Sequence, residues 1–262
     1  VTIHRLNILE YNNTVRDLLG DTSQPASAFP EDTGGGNFDN NADVLATRPL
    51  LFRKMETAAE ALSTAAVATG SATRAKIITC DSTKVGEAAC AMTVMSAFAR
   101  KAWRRPATPA ELTRLTALVS LAKANGDTFD SGIALGIEAV LLSPHFAFRP
   151  ELDSAPIATA PRLLNSYEIA SRLSYFLWST MPDDTLTAAA DSGGLQDVPS
   201  LQAQAIRMLS DTKASTMVNT MGAQWFGTYK MASVAPLATS FPTFDAECRT
   251  AMVQETNLFF KH

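Results

Sequence analysis

The sequence predicts an all-α protein, a bundle-like array of helices in two or three subdomains joined by long loops. Apolar residues recur at helical spacing along almost the whole chain, and no apolar–polar alternation persists long enough for a strand. Capping residues, prolines and glycines punctuate the apolar stretches where helices should start and stop.

Taken in order, Leu6 to Leu19 reads as a helix stopped by Gly20. Asp21 to Asp43 is a long polar loop with Pro25, Pro30 and the run Gly34-Gly35-Gly36, and loops of that length in compact domains are often functional. Pro49 opens an Ala-rich helix running to about Gly70, and residues 71–86 read as a connection. A helix from about Glu87 to Arg105 lines up Ala88, Ala91, Met92, Met95, Phe98, Ala99 and Ala102 on one stripe, and Pro106 ends it.

Thr108-Pro109-Ala110-Glu111 has the form of a capping box, and its helix buries Leu112, Leu115, Val119 and Ala122 before Gly126. Asp130 to Ser143 is apolar nearly all round, the mark of a buried helix, and Pro144 should end it. Residues 150–162, with Pro150, Pro156 and Pro161, read as a linker. Asn165-Ser-Tyr-Glu168 starts a helix to about Ser179, with Ile169, Leu173, Phe176 and Leu177 on one face and Glu168–Arg172 as an i, i+4 pair. Shorter helices follow from Pro182, over Pro199 to Leu209 and Asp211 to Phe226, with a last one from Phe244 to His262. The resulting division is an N-terminal module over 1–70 with the Gly/Asn/Asp-rich loop, a central module over 71–150 and a C-terminal module over 163–262.

Hydrophobic residues make up 46% of the chain and charged residues 18%, which suits a soluble globular protein and argues against disorder. A net charge of −4 argues against a nucleic-acid surface. The one basic run, Arg100, Lys101, Arg104 and Arg105, falls at a helix C-terminus, where cations complement the dipole. No membrane span is expected: Ser131 to Phe148 is interrupted by Glu138 and Pro144, short of the ~20 apolar residues needed. The chain begins at Val1 rather than Met with no signal peptide evident, the expectation for a processed product or an excised fragment.

Cys80 and Cys90 flank a short turn-rich stretch, and their spacing fits neither a Cys-x2-Cys zinc site nor a haem-attachment motif. Either they form a disulfide, which places the protein in an oxidising compartment, or they are two free buried thiols. Cys248 is then a buried thiol or the partner of a cysteine elsewhere.

Chemistry-bearing residues are sparse. Of His4, His145 and His262, only His145 lies away from the ends, and neither a Gly-x-Ser-x-Gly elbow nor a His-Glu-x-x-His pair is present. Glu138, seven residues before His145, would share its face on an unbroken helix, where it could act as an acid or base or bind a metal with the histidine. Arg149 is a further candidate or simply its ion-pair partner. The bland alternative is that Pro144 breaks the helix and Glu138 meets solvent or an arginine. Asp39, Asn41 and Asp43 alternate as calcium ligands can, but without the glycine and distal glutamate of an EF-hand, and Asx turns explain them equally well. The aromatics Tyr167, Tyr175, Phe176, Trp178, Trp225 and Phe226 fall at core spacing.

Several blocks carry a family resemblance. They are Arg5-Leu-Asn-Ile-Leu-Glu-Tyr-Asn-Asn-Thr-Val-Arg-Asp-Leu-Leu-Gly20, Phe38-Asp-Asn-Asn-Ala-Asp43, Phe98-Ala-Arg-Lys-Ala-Trp-Arg-Arg-Pro106 and Leu142-Ser-Pro-His-Phe-Ala-Phe-Arg149. Cys80-Asp, Gly86-Glu-Ala-Ala-Cys90, the stretch from Tyr167 to Asp184 and Gln224-Trp-Phe-Gly227 complete the set. The chain resembles a family of large exported proteins of unknown function, abundant in planctomycetes and myxobacteria and often carrying a c-type cytochrome domain in the same polypeptide. The resemblance implies export and a role near periplasmic electron transfer, at the periplasm or cell surface. It supplies no catalytic residues, and similar proteins continue past Glu255-Thr-Asn-Leu-Phe-Phe260. Haem c would therefore belong to partner or further domains.

The expected function is an accessory or scaffold helical module that docks with a c-type cytochrome. The alternatives are part of a secreted enzyme whose site further modules complete, and a calcium-stabilised surface protein.

Overall fold

The computed structural model describes residues 3–31, 38–43, 45–151 and 162–261. Gly34 to Gly36, most of the 150–162 linker and His262 lie outside those residues. The all-α class holds: helices dominate, and the one strand pair described is a two-residue antiparallel bridge, β1 (His4–Arg5) with β2 (Phe148–Arg149).

The first helix, α1 (Ile8–Leu19), starts two residues later than its apolar pattern indicates, because Asn7 caps it. Asn7 Oδ1 accepts the Glu10 N–H at 2.8 Å, and Glu10 Oε2 accepts the Asn7 N–H at 3.1 Å. Gly20, at φ 72°, closes the helix in the left-handed conformation that suits glycine. The long polar loop contains a 3-10 turn at Pro25–Ala28, whose Ala26 N–H is held by Asn12 Oδ1 at 2.8 Å.

Five helices build the first core: α1, α2 (Pro49–Val67), α5 (Glu87–Ala102), α6 (Pro109–Ala124) and α7 (Phe129–Leu142). Helix α7 sits at its centre against α2, α5 and α6, and Ile133, Ile137, Val140 and Leu141 are fully enclosed. Two glycines allow that approach. A Cβ on Gly132 would stand 2.9 Å from Val119 Cγ1 and 3.1 Å from the Val119 carbonyl oxygen, and one on Gly136 would meet Met95 Sδ at 2.5 Å.

The stretch 71–86 is not a plain connection but carries two short helices, α3 (Ala72–Ile77) and α4 (Ser82–Val85). A disulfide joins Cys80 to Cys90 and ties this segment to α5; closing so short a loop contributes roughly 2–3 kcal/mol on chain-entropy grounds. On α5 the buried stripe is Cys90, Ala91, Val94, Met95, Phe98, Ala99 and Ala102, while Ala88 and Met92 face solvent. Pro144 ends α7 as expected, since Ser143 before it is extended at ψ 141°, and it then opens a new short helix. The Ser143 hydroxyl accepts the His145 N–H to start α8 (Pro144–Ala147), which runs into β2.

A second core forms from α9 (Ser166–Trp178), α10 (Asp184–Asp191) and α11 (Val198–Leu209), around Trp178, Leu186, Leu195 and Met208. The Trp178 indole N–H donates to the Met208 carbonyl at 2.9 Å. The stretch expected as one helix over Asp211 to Phe226 is broken: a 3-10 turn, α12 (Ser215–Met217), a π turn at Val218–Gly222 and α13 (Ala223–Phe226) follow one another. The last helix, α14 (Ala246–Lys261), packs beside the π turn, where Gly222 leaves room for the Phe260 ring. Cys248 is an exposed free thiol rather than a buried one.

The stretches before residue 70 and over 71–150 share one core, and the second core belongs to the segment after 163. Tyr175 on α9 crosses between them: it is buried in the first core, and its hydroxyl lies 2.8 Å from Thr14 Oγ1. Asp17 on α1 adds Thr180 Oγ1 at 3.0 Å and Lys213 Nζ at 2.9 Å.

The two α7 glycines should respond differently to alanine. Gly132→Ala presses on the α6 backbone, which cannot yield, and should cost about 1–3 kcal/mol as an overpacked site. Gly136→Ala presses on the flexible Met95 side chain and should cost less. Urea unfolding of both variants checks the order, and equal or reversed costs would contradict this packing.

Candidate functional site

Between the two cores lies a cleft of about 680 Å³, within the roughly 300–1,000 Å³ range of small-molecule sites. One wall comes from the first core: His4 of β1, Glu10 at the start of α1, Trp103, Arg104 and Arg105 after α5, and Arg149 of β2. The other is the outer face of α9, with Tyr167, Ile169, Leu173 and Phe176, and Leu201 of α11 beside it.

That second wall departs from the sequence expectation at Phe176. Leu177 is buried in the second core and Ile169 and Leu173 pack half-buried against it, while Phe176 is 57% exposed. The expected Glu168–Arg172 pair is also replaced. Glu168 closes the Asn165 capping box and pairs with Arg162 at 2.7 Å, while Arg172 takes Glu151 in a two-pronged contact whose longer arm is 2.8 Å.

The base of the cleft is polar and charged. Glu10 is 4% exposed, held in place because its other oxygen closes the α1 cap. Its Oε1 stands 3.6 Å from Arg149 Nη2, beyond good hydrogen-bond range. Burial pushes the Glu10 carboxyl above the usual carboxylate range, and the Arg149 guanidinium opposes this. Arg149 Nε is buried without a hydrogen-bond partner, and its guanidinium lies 5.1 Å from the Tyr175 ring centroid. Arg104 lies over the same ring at 5.5 Å. Burial pushes the His4 imidazole down, and Arg149 adds to that.

The sequence candidates Glu138, His145 and Arg149 are not brought together. Glu138 does not line the cleft; burial raises its carboxyl, and Glu60 and Glu56 on α2 add to the rise. His145 turns toward Glu111, with Nε2 3.3 Å from Oε1, and stacks at a tilt on Trp103. Burial holds its imidazole below the ordinary value, with Arg105 as the next cause. Arg149 alone of the three lines the cleft. In the polar loop, Asn41 Oδ1 accepts the Asp43 N–H at 3.1 Å, an Asx turn, and Asp39 N donates to Gln224 Oε1 at 3.3 Å. Among the described residues, no three His, Cys, Asp or Glu side chains gather as a metal-binding group.

Sequence reasoning missed Glu10, Arg104 and Tyr167 as site residues. Only Glu10 had a readable signal, a glutamate three residues after Asn7. A second surface was also read differently: Trp225, Phe226 and Tyr229 are 63%, 48% and 46% exposed rather than core, and Phe259 is 76% exposed. Trp225 and Phe226 stack at 5.7 Å, and Phe260 closes the group edge-on to both.

Fold and site together define an all-α protein of successive helical domains with a ligand-sized cleft between two cores. Its segments match three family models in succession. Residues 4–68 match PSD3, a protein of unknown function (DUF1587); residues 90–151 match PSD5 (DUF1595); and residues 164–262 match PSD4 (DUF1592). No curated protein and no solved structure matches the chain. The first two matched domains share a single hydrophobic core, and the third carries its own.

Glu111 supplies a pH test of the wall behind Trp103. Hydrogen bonds from Arg105 hold its carboxyl at about 2, below the ordinary 4.5 of a glutamate. A lowered folded value means the stabilisation is complete above pH 4.5 and lost as pH falls toward 2. Glu111→Gln should therefore unfold at lower temperature than the parent at pH 7, and the gap should close as the buffer is taken from pH 5 to 2.5. A gap unchanged at pH 2.5 would mean the Arg105–Glu111 pair contributes nothing ionic.

Proposed function

We propose that this chain is an accessory helical module of an exported assembly, docking to its partner through the aromatic surface of α13 and α14. The observation that carries the reading is the group of Trp225, Phe226, Tyr229 and Phe259, all more than two-fifths exposed. Large exposed aromatic side chains such as the stacked Trp225 and Phe226 mark interaction sites, and Trp and Tyr are prominent among residues that dominate binding energy. The π turn next to them fits the same role, since such turns cluster at functional sites.

Export is supported by the Cys80–Cys90 disulfide, a bond that persists in oxidising compartments. Among the described residues no helix is long and apolar enough to cross a membrane. The partner to test first is a c-type cytochrome, the neighbour that the family resemblance implies. The secreted-enzyme reading loses support because Glu138, His145 and Arg149 stand apart. The calcium reading loses it because Asn41 already serves as a turn acceptor.

The direct test is calorimetric titration of the chain with a c-type cytochrome, repeated with Trp225→Ser. A docking residue of this kind should weaken binding about thirty-fold while leaving the melting temperature unchanged. Unchanged affinity in the variant would remove the aromatic surface as the interface, and no binding by the parent would remove the cytochrome as the partner.

A further inference from the structure

The cleft between the cores is lined by no residue of α13 or α14, and it has a chemical character of its own. Arg104 donates to the carbonyls of His145, Phe146 and Phe148 and to the Tyr175 hydroxyl. Among the described residues no carboxylate lies in ion-pair contact with it. Arg149 flanks the same ring, so two guanidiniums at the cleft base share one carboxylate, Glu10. The remaining lining charges are matched: Arg172 by Glu151, Arg105 by Glu111 and Glu168 by Arg162. Among the described residues the base therefore sets two guanidiniums against one lining carboxylate, with Asp39 near enough to act on Glu10.

It also keeps an unused donor. Arg149 Nε is buried with no acceptor, and the 3.6 Å separation of Nη2 from Glu10 is too long for a strong hydrogen bond. A buried polar group left in this condition costs free energy that an incoming acceptor would recover. The planar guanidinium fork matches the two oxygens of a carboxylate. Above it, Ile169, Leu173 and Phe176 present an apolar wall to open space.

We infer that the cleft binds a small monoanion with an apolar body, of the carboxylic-acid class. The anionic group sits on Arg149 in competition with Glu10, and the body lies along Ile169, Leu173 and Phe176. A single guanidinium fork with an unused donor favours a monoanion over a phosphate dianion, which would need further donors. Binding draws Arg149 away from Glu10, so Glu10 weakens the ligand it faces.

The test compares two fluorescent probes of one shape: anilinonaphthalene sulfonate, a monoanion, and phenylnaphthylamine, its uncharged parent. The purified chain should bind the sulfonate about ten-fold tighter than the neutral probe, and decanoate should displace it where decanol does not. Arg149→Met should abolish the preference. Phe176→Glu, on an exposed position of α9, should weaken both probes. Glu10→Gln keeps the cap acceptor but frees Arg149, and should tighten the sulfonate, a direction that mere loss of structure would not produce. Trp225→Ser should change neither, which separates this site from the docking surface.

Equal affinity for the two probes would overturn the inference. So would a preference that survives Arg149→Met, or binding lost in Trp225→Ser. If Arg149→Met fails to melt cooperatively, the paired probes on the parent chain and on Glu10→Gln decide the question.

Discussion

The arrangement depends on one buried arginine. Arg104 follows α5 with φ at 59°, a left-handed conformation that a residue with a Cβ adopts at a cost of about 1–3 kcal/mol. Its Nη2 donates at 2.6 Å to the His145 carbonyl and at 2.7 Å to the Phe148 carbonyl, and its Nη1 reaches the Tyr175 hydroxyl at 3.1 Å. The carbonyls of His145 and Phe146 belong to α8, too short to satisfy them within its own turn. Hydrogen bonds from a charged donor contribute about 1.5–3 kcal/mol each, so the group outweighs the strain of the backbone that aims it. In this way the end of α5, the turn into β2 and the last turn of α9 are held at one point.

What that point positions is the cleft. β2 can carry Arg149 to the base only because Arg104 holds the chain just before it, and β1 then pairs with β2 and sets His4 at the rim. Glu10 arrives by a different route, as the glutamate of a capping box, and a residue fixed by a helix cap cannot retreat to solvent. Its burial beside a guanidinium it does not quite reach follows from local geometry acting at long range. The apolar wall has a comparable origin: α9 lies against α10 and α11 through Ala170, Leu177 and Trp178, which leaves Ile169 and Leu173 half-buried and Phe176 exposed along the cleft.

These features were unequally legible in the sequence. Helix starts at Thr108 and Asn165 could be read because a capping box is a contact between residues three apart. The all-α class followed from periodicity for the same reason. Periodicity reports that a face is apolar but not what covers it, so Phe176 read as core, and so did Trp225 and Phe226. The break at Ser143 was legible from Pro144, whereas the π turn at Val218–Gly222 is a tertiary choice that overrode a continuous helical pattern. Arg104 lay inside a basic run whose charge suggested a solvated helix end, although its backbone and partners make it the most constrained member of that run. A cleft drawn from segments more than a hundred residues apart has no local signature.

The central claim is that the Arg104 clasp joins the two cores and shapes the cleft. Hydrogen exchange followed by mass spectrometry on Arg104→Lys tests it most directly, since lysine keeps the charge but loses the fork that reaches several carbonyls. The account predicts faster exchange in 143–149 and in α9, with α2, α6 and α7 as protected as in the parent. Unchanged protection in 143–149 and α9, or uniform loss across both cores, would contradict it.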